Sequence, residues 1–181
     1  MATKDNQGLV LVYTGDGKGK TTAALGLAVR AAGRDKGVLM IQFIKSPDRE
    51  YGEKTMFGKM GIEMHQMGIG FTWLKTPEEH REALQKAWAF AKEKINSGAY
   101  DVVILDELNN ALAIDSFPID DVLPLQEVVE TIQKRPPGMH LVITGRSAKP
   151  EIIEAADLVT EMEPIKHYYE EGIPAVKAIE Y

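Results

Sequence analysis

Apolar residues in this chain occur either in short continuous runs or at intervals of three and four positions. Runs that are apolar almost throughout predict strands buried on both faces, as in a parallel sheet covered by helices. Four runs are clear and a fifth is weaker: Leu9–Tyr13, Val38–Ile44, Val102–Leu105, Leu141–Thr144 and, as the weaker one, Leu158–Met162.

The segment Pro77–Ser97 has the strongest helical pattern. Thr76 stands at the N-cap position with Glu79 three residues later, and Gly98 follows the last apolar position, so both ends carry residues that helix termini favour. Its apolar residues form one stripe and predict the face that packs on the core: Leu84, Ala87, Trp88, Ala91 and Ile95.

Three further helices are predicted between the runs. Thr21–Ala32 is rich in alanine, Val122–Lys134 has Pro124 in its first turn, and a short helix follows Pro150. The alternation of strands and helices predicts an α/β fold, with a parallel sheet and helices on both faces. At 181 residues, we expect the chain, residues 1–181, to form one domain.

The segment Ser46–Thr76 has only weak periodicity. It contains five glycines and four methionines and lies between the second strand and the long helix. Compact domains rarely contain such long irregular segments unless these have a function. The segment therefore predicts a long functional loop or lid.

Composition narrows the classes of function. The absence of cysteine excludes disulfides, thiolate metal sites and a cysteine nucleophile, and the four histidines lack the spacing of a metal site. The net charge of −6 argues against a nucleic-acid partner. No apolar stretch reaches the roughly 18 residues that cross a bilayer, and the first residues lack a signal-peptide core, so we expect a cytoplasmic protein without a membrane partner.

A glycine-rich segment follows the first strand and precedes the alanine-rich helix. This order is that of a phosphate-binding loop, although Thr14 stands where the general pattern has its first glycine. Glycines let backbone N–H groups face phosphate oxygens, while Lys20 supplies a charge and Thr21 a hydroxyl for magnesium. Lys18 is either a second phosphate contact or a solvated loop lysine. The predicted nucleotide-binding residues of the loop are Gly15, Asp16, Gly17, Lys18, Gly19, Lys20, Thr21 and Thr22.

Two further strands end in polar residues. Asp106 and Glu107 close the run that begins at Val102, a Walker B pattern whose carboxylates can hold magnesium or orient a water molecule. The alternative is a strand that ends in exposed acids. Arg146 follows the run that begins at Leu141, and its side chain contacts either a phosphate or carboxylate ligand or a surface ion-pair partner.

Beyond these elements, the chain resembles the ATP:corrinoid adenosyltransferases of the CobA/CobO type. The resemblance covers nearly the whole chain, and the shifted glycine of the loop matches the family's own pattern. Asp16 stands where some relatives have Asn. The segments that carry the resemblance are Tyr13–Gly26, Gln42–Lys45, Met67–Trp73, Leu105–Asn110, Thr144–Arg146 and Pro164–His167.

The resemblance implies a RecA-like P-loop NTPase fold and transfer of the 5′-deoxyadenosyl group of ATP to the Co(I) of a corrinoid, with tripolyphosphate leaving. It implies catalytic roles for Lys20 and Glu107, magnesium or manganese at Thr21, Asp106 and Glu107, and nucleotide contact by Arg146. A homodimer and an electron-donating flavoprotein partner are implied as well.

The resemblance also gives a role to Phe71 and Trp73 in the glycine-rich segment. In the family, this segment covers the corrinoid, and its aromatic residues help to displace the lower cobalt ligand. The residues alone leave the alternative that both rings anchor the loop to the core.

Two other functions are compatible with a phosphate loop. One is a P-loop ATPase or nucleoside kinase, although no arginine lies between Arg49 and Arg81 to serve a basic lid. The other is a nucleotide-switched binding module that uses the segment Ser46–Thr76 as its partner surface.

Overall fold

A computed structural model describes residues 8–70 and 75–181. In this part of the chain, six strands form one sheet in which every pairing is parallel, with the order β3-β2-β4-β5-β1-β6. All six strands therefore end at the same edge of the sheet. The strands are β1 Val10–Thr14, β2 Val38–Gln42, β3 Glu63–Gln66, β4 Val102–Asp106, β5 His140–Thr144 and β6 Leu158–Glu161.

Helices connect the strands and cover both faces of the sheet. One core contains Ala24 and Ala28 from the first helix, and the other contains Trp88 and Ile95 from the long helix. The predicted α/β class is confirmed, with helices on both faces. The helices are α1 Lys20–Ala32, α2 Gly52–Met60, α3 Pro77–Asn96, α4 Leu108–Leu112, α5 Leu125–Lys134 and α6 Pro150–Glu154, followed by a 3-10 helix at Tyr168–Glu171.

The sequence signals of α3 are confirmed in detail. The Thr76 hydroxyl accepts from the Glu79 N–H at 3.2 Å, and a Glu79 carboxylate oxygen accepts from the Thr76 N–H at 2.9 Å. All five residues of the predicted apolar stripe are buried, including Trp88, whose indole N–H donates to Glu127. The long helix thus follows from its own caps and period.

The prediction of one long loop at Ser46–Thr76 is wrong, because the segment contains α2 and β3. In β3, the polar residues Glu63, His65 and Gln66 surround a single methionine, and three of its four positions are only partly buried. An edge strand of this kind has no continuous apolar run to reveal it. Two glycines in α2 similarly weaken its helical pattern.

Two other boundaries differ from the prediction. Pro124 is the N-cap of α5 with extended backbone angles, so the helix begins at Leu125 and not at Val122. Strand β6 is present, but its four residues are exposed, whereas the pattern predicted a buried strand. Its position at the edge of the sheet explains the exposure, since only β1 pairs with it.

In the described ranges 8–70 and 75–181, no helix combines the length and the apolar character that crossing a bilayer requires.

Candidate active site

The glycine-rich loop lies between β1 and α1, at the carboxyl edge of the sheet. Gly15 and Gly19 have φ angles of +90° and +119°, which favour glycine. The Gly17 N–H donates to the Met162 carbonyl at 2.6 Å, and a Cβ atom at Gly15 would lie 2.5 Å from the same oxygen. The glycines are therefore required both by the backbone turn and by close packing against the segment that follows β6.

Lys20, the first residue of α1, turns back across this loop. Its ammonium donates to the Gly17 carbonyl at 2.6 Å. Burial lowers the pKa of Lys20 and nearby Arg146 lowers it further, while Asp16 and Glu107 act in the opposite direction. The Lys20 ammonium is thus held against the loop in surroundings where an added anion would stabilise it.

Asp106, at the end of β4, is fully buried and joins three elements of the site. Its Oδ1 accepts from the Thr21 hydroxyl at 2.8 Å and from the Thr144 hydroxyl at 2.7 Å. Its Oδ2 accepts from the Gln42 amide at 2.9 Å. The carboxylate therefore fixes the Thr21 hydroxyl, at the start of α1, relative to β2, β4 and β5.

Glu107 follows with a φ of +61°, and its N–H donates to the Thr144 hydroxyl at 2.9 Å. Burial raises the pKa of Glu107 to about 7, the Asp106 charge adds to this effect, and Lys45, Lys20 and Arg146 oppose it. A cation that binds beside such a carboxyl group stabilises its ionised form and lowers its pKa.

The raised pKa predicts that Glu107→Gln stabilises the free protein as the pH increases. Glu107 ionises at a lower pH when unfolded, so its folded-state penalty appears above pH 4.5 and is complete above about 7. We expect thermal unfolding to show a Tm gain on the order of 5 °C at pH 8 and almost none at pH 4. Equal gains at both pH values would contradict the proposed penalty.

A cavity of about 940 Å³ opens over the loop and Glu107. Residues of the loop and α1 line one side of it: Lys18, Gly19, Lys20, Thr21 and Thr22. Residues after β2 line the other side, and these include Lys45 and Tyr51. A ligand in this cavity would contact the phosphate loop and Glu107 at the same time.

The last residues of the chain lie across this cavity. Glu180 forms an ion pair with Lys18 at 2.9 Å, and the Arg49 guanidinium lies 4.6 Å from the centre of the Tyr181 ring. Lys18 is therefore paired within the protein, an arrangement that neither of the two sequence interpretations considered.

Arg146 and Asp16 are not among the residues that line the larger cavity. Both line a second cavity of about 590 Å³ together with His167, Tyr168 and Tyr169. The Arg146 Nε lies 3.9 Å from Asp16 Oδ1, and the two side chains are 60% and 76% exposed. Asp16 is thus the surface ion-pair partner of Arg146, which is one of the two alternatives that the sequence allowed.

Phe71 and Trp73 lie outside the described residues. Ile69, Gly70 and Lys75, on either side of the range 71–74, line the larger cavity. The Gly70 N–H donates to the Ile44 carbonyl at 3.0 Å. This bond fixes the last residue before the range 71–74 against the segment that follows β2.

Sequence reasoning gave no role to the cationic and aromatic residues that follow β2. Lys45 forms an ion pair with Glu53 of α2 at 3.0 Å, and its ammonium lies 4.5 Å from the centre of the Tyr51 ring. The only sequence signal was the segment Gln42–Lys45, which contributed to the family resemblance without a chemical role.

Across the described part of the chain, no three His, Cys, Asp or Glu residues form a cluster that could hold a metal ion alone. The Thr21 hydroxyl and the Asp106 carboxylate share one hydrogen-bond network, which the backbone N–H of Glu107 joins at Thr144. Thr21 and Glu107 both line the cavity. This oxygen donor set suits magnesium, which usually binds one or two carboxylates together with the phosphates of a substrate.

Solved structures with a similar fold define the class of protein. A KaiC-like protein from Pyrococcus horikoshii OT3 has a TM-score of 0.52 at 18% identity, over 85% of this chain and 71% of that one. The RadB recombinase has a TM-score of 0.50 at 16% identity, over 90% and 77%. With the phosphate loop and the Walker B carboxylates, these likenesses define a RecA-like P-loop NTPase fold.

The particular family follows from sequence comparison. The chain belongs to the family of ATP:corrinoid adenosyltransferases BtuR/CobO/CobP, whose profile matches residues 6–181. The corrinoid adenosyltransferase of Escherichia coli K12 is 40% identical over 98% of this chain and 88% of its own length. Corrinoid adenosyltransferase CobA of Salmonella typhimurium LT2 is 37% identical over the same shares, and the Pseudomonas aeruginosa enzyme is 40% identical over 98% and 86%.

Proposed function

We propose that this protein transfers the 5′-deoxyadenosyl group of ATP to the Co(I) of a corrinoid and releases tripolyphosphate. The observation that carries the proposal is that the phosphate loop and Glu107 open into one cavity of about 940 Å³ in a member of this enzyme family. The volume is at the upper end of the range for small-molecule sites, which suits a nucleotide together with part of a macrocycle.

The proposed reaction needs no nucleophile from the protein. Co(I) donates an electron pair to the ribose C5′ atom, the Co–C bond forms, and the C5′–O bond breaks with its electron pair on the oxygen of the α-phosphate. Cobalt is formally oxidised to Co(III), and no proton or further reductant is consumed in this step. The protein therefore contributes positioning and charge stabilisation.

We assign the polyphosphate to the loop. The backbone N–H groups of the loop, the positive end of α1 and the Lys20 ammonium bind its oxygens, which is the arrangement that phosphate loops use. Asp16, Lys18, Thr22 and Arg146 remain proposed nucleotide contacts, and Lys18 must exchange Glu180 for a phosphate. Release of that ion pair costs little, because both partners are partly exposed.

We also propose that magnesium, or manganese, accompanies the nucleotide at Thr21, Asp106 and Glu107. When bound, the metal would neutralise phosphate charge. Both Asp106 oxygens already accept hydrogen bonds, so its part is to hold the Thr21 hydroxyl in place. Glu107 offers the carboxylate with free capacity, and cation binding there would lower its pKa from about 7.

The assembly and cellular setting are proposals as well. An exposed apolar pair on the edge strand, Leu158 and Val159, supports a homodimer. The need for Co(I) supports an electron-donating flavoprotein partner, and the supply of ATP and reductant supports a cytoplasmic location.

The direct test is to mix the protein with ATP, magnesium and a chemically reduced corrinoid and to follow the visible absorbance. We expect the Co(I) spectrum to give way to that of an alkylated cobalt at a rate that depends on enzyme concentration. A parallel reaction without corrinoid serves as the control. Phosphate release in that control, with no alkylation in the complete mixture, would instead support an ATPase.

A further inference from the structure

Lys45 is a partly buried cation in the wall of the active-site cavity. Its side chain is 15% exposed, and its ammonium lies 3.0 Å from Glu53 Oε1 and 4.0 Å from Asp106 Oδ2. The ion pair with Glu53 keeps this ammonium charged. The side chain therefore brings a permanent positive charge to the cavity.

This charge lies on the side of Asp106 that faces away from the phosphate loop. Asp106 Oδ1 contacts the Thr21 hydroxyl, whereas its Oδ2 is the atom nearest the Lys45 ammonium. Lys20 lies on the loop side, bonded to the Gly17 carbonyl. Both lysines act on the charge of the neighbouring Glu107, and both line the same cavity.

The transfer reaction requires positive charge both at the phosphates in the loop and at the α-phosphate oxygen that leaves C5′. Phosphates held by the loop are served by Lys20 and by the backbone N–H groups. The bond that breaks joins the α-phosphate oxygen to C5′, and this end of the nucleotide must reach the space where the corrinoid fits. Negative charge grows on that oxygen as the bond lengthens, and a preformed cation beside it would stabilise the transition state.

We propose that Lys45 is a catalytic residue that contacts the phosphate oxygens nearest the breaking C5′–O bond, with Glu53 and the Tyr51 ring holding its ammonium ready. The inference rests on the proposed adenosyl transfer and adds a residue to it. The alternative is a structural role, in which the Lys45–Glu53 ion pair only holds α2 against the segment that follows β2.

A paired substitution separates the two roles. Lys45→Met alone leaves Glu53 buried without its partner, which destabilises the protein under either role. Lys45→Met combined with Glu53→Gln removes both charges of the pair, so the remaining structural cost is the loss of the cation 4.0 Å from Asp106. The matched control is Lys134→Met with Glu130→Gln, which removes a surface pair on α5 whose atoms lie 2.9 Å apart.

Three quantities are measured for each protein: kcat from chemically preformed Co(I) corrinoid, inhibition by added tripolyphosphate, and Tm. For Lys45→Met/Glu53→Gln, we expect kcat to fall by about 100-fold. We expect inhibition by tripolyphosphate to weaken about tenfold because a charge-assisted contact is lost. The Tm should fall by a few degrees at most, because Asp106 loses a nearby cation. The control pair should match the wild type in all three quantities.

A paired variant with wild-type kcat and wild-type inhibition would overturn the catalytic role of Lys45. A loss of kcat that appears only together with a large fall in Tm and unchanged inhibition would also overturn it, in favour of the structural role. Failure of the wild-type protein to alkylate cobalt is a separate result, which refutes the proposed function and the Lys45 role together.

Discussion

Replacing Lys20 with alanine should reduce adenosyl transfer by on the order of 1,000-fold at fixed ATP, because the phosphate site loses the ammonium that lies against the loop. The remaining N–H groups still face the ligand, but they must bind a polyanion without that charge. The measurement is the rate of cobalt alkylation from preformed Co(I) corrinoid, at ATP concentrations that separate kcat from KM.

Lys36→Ala is the matched control for Lys20. Lys36 is exposed and pairs with Asp101 at the amino edge of the sheet, opposite the edge that carries the site, so its removal should leave the rate unchanged. Since Lys20 also packs over the loop, circular dichroism and Tm must show that Lys20→Ala is folded. A folded variant with wild-type turnover would refute the phosphate-loop assignment.

The second large effect is expected for the double variant Phe71→Ala/Trp73→Ala. If these rings displace the lower cobalt ligand, the assay that starts from Co(II) with a reductant should slow on the order of 100-fold, since the ligand must leave before reduction. An assay that starts from preformed Co(I) should be nearly unaffected, because this species has already lost the ligand.

The comparison of the two assays contains its own control. ATP affinity should be retained, since neither residue belongs to the phosphate loop or to the Asp106–Glu107 edge. Rings that only anchor the loop would instead give equal losses in both assays and a lower Tm, from a loss of about 3 to 5 kcal/mol for a buried aromatic residue cut to alanine. That outcome would end the proposed corrinoid role.

The parts of the fold that sequence could predict are those with local signals. The caps and the stripe of α3 encode its bounds, and the apolar runs of β1, β2, β4 and β5 encode a sheet with helices on both faces. The strand β3 is a partly buried edge strand with polar residues, so its stability comes from pairing with β2 and not from its own pattern. The period of its residues therefore could not reveal it.

In the active site as well, the sequence predicted the residues that belong to local motifs and missed those that depend on tertiary contacts. Lys20, Thr21, Asp106 and Glu107 follow from motifs, because phosphate loops and strand ends constrain them through backbone geometry. The partners of Asp106 are distant in sequence, with Gln42 on β2 and Thr144 on β5, and only the parallel register brings them together. The Lys45–Glu53 pair depends on α2, which the sequence did not reveal.

The products of the reaction provide the most direct test of adenosyl transfer. Phosphorus NMR of a mixture of protein, ATP, magnesium and preformed Co(I) corrinoid should show intact tripolyphosphate appearing in a one-to-one ratio with alkylated cobalt measured by absorbance. This result is required if Co(I) attacks C5′ and the α-phosphate oxygen leaves. ADP with free phosphate, formed in step with cobalt alkylation or in its absence, would contradict the account.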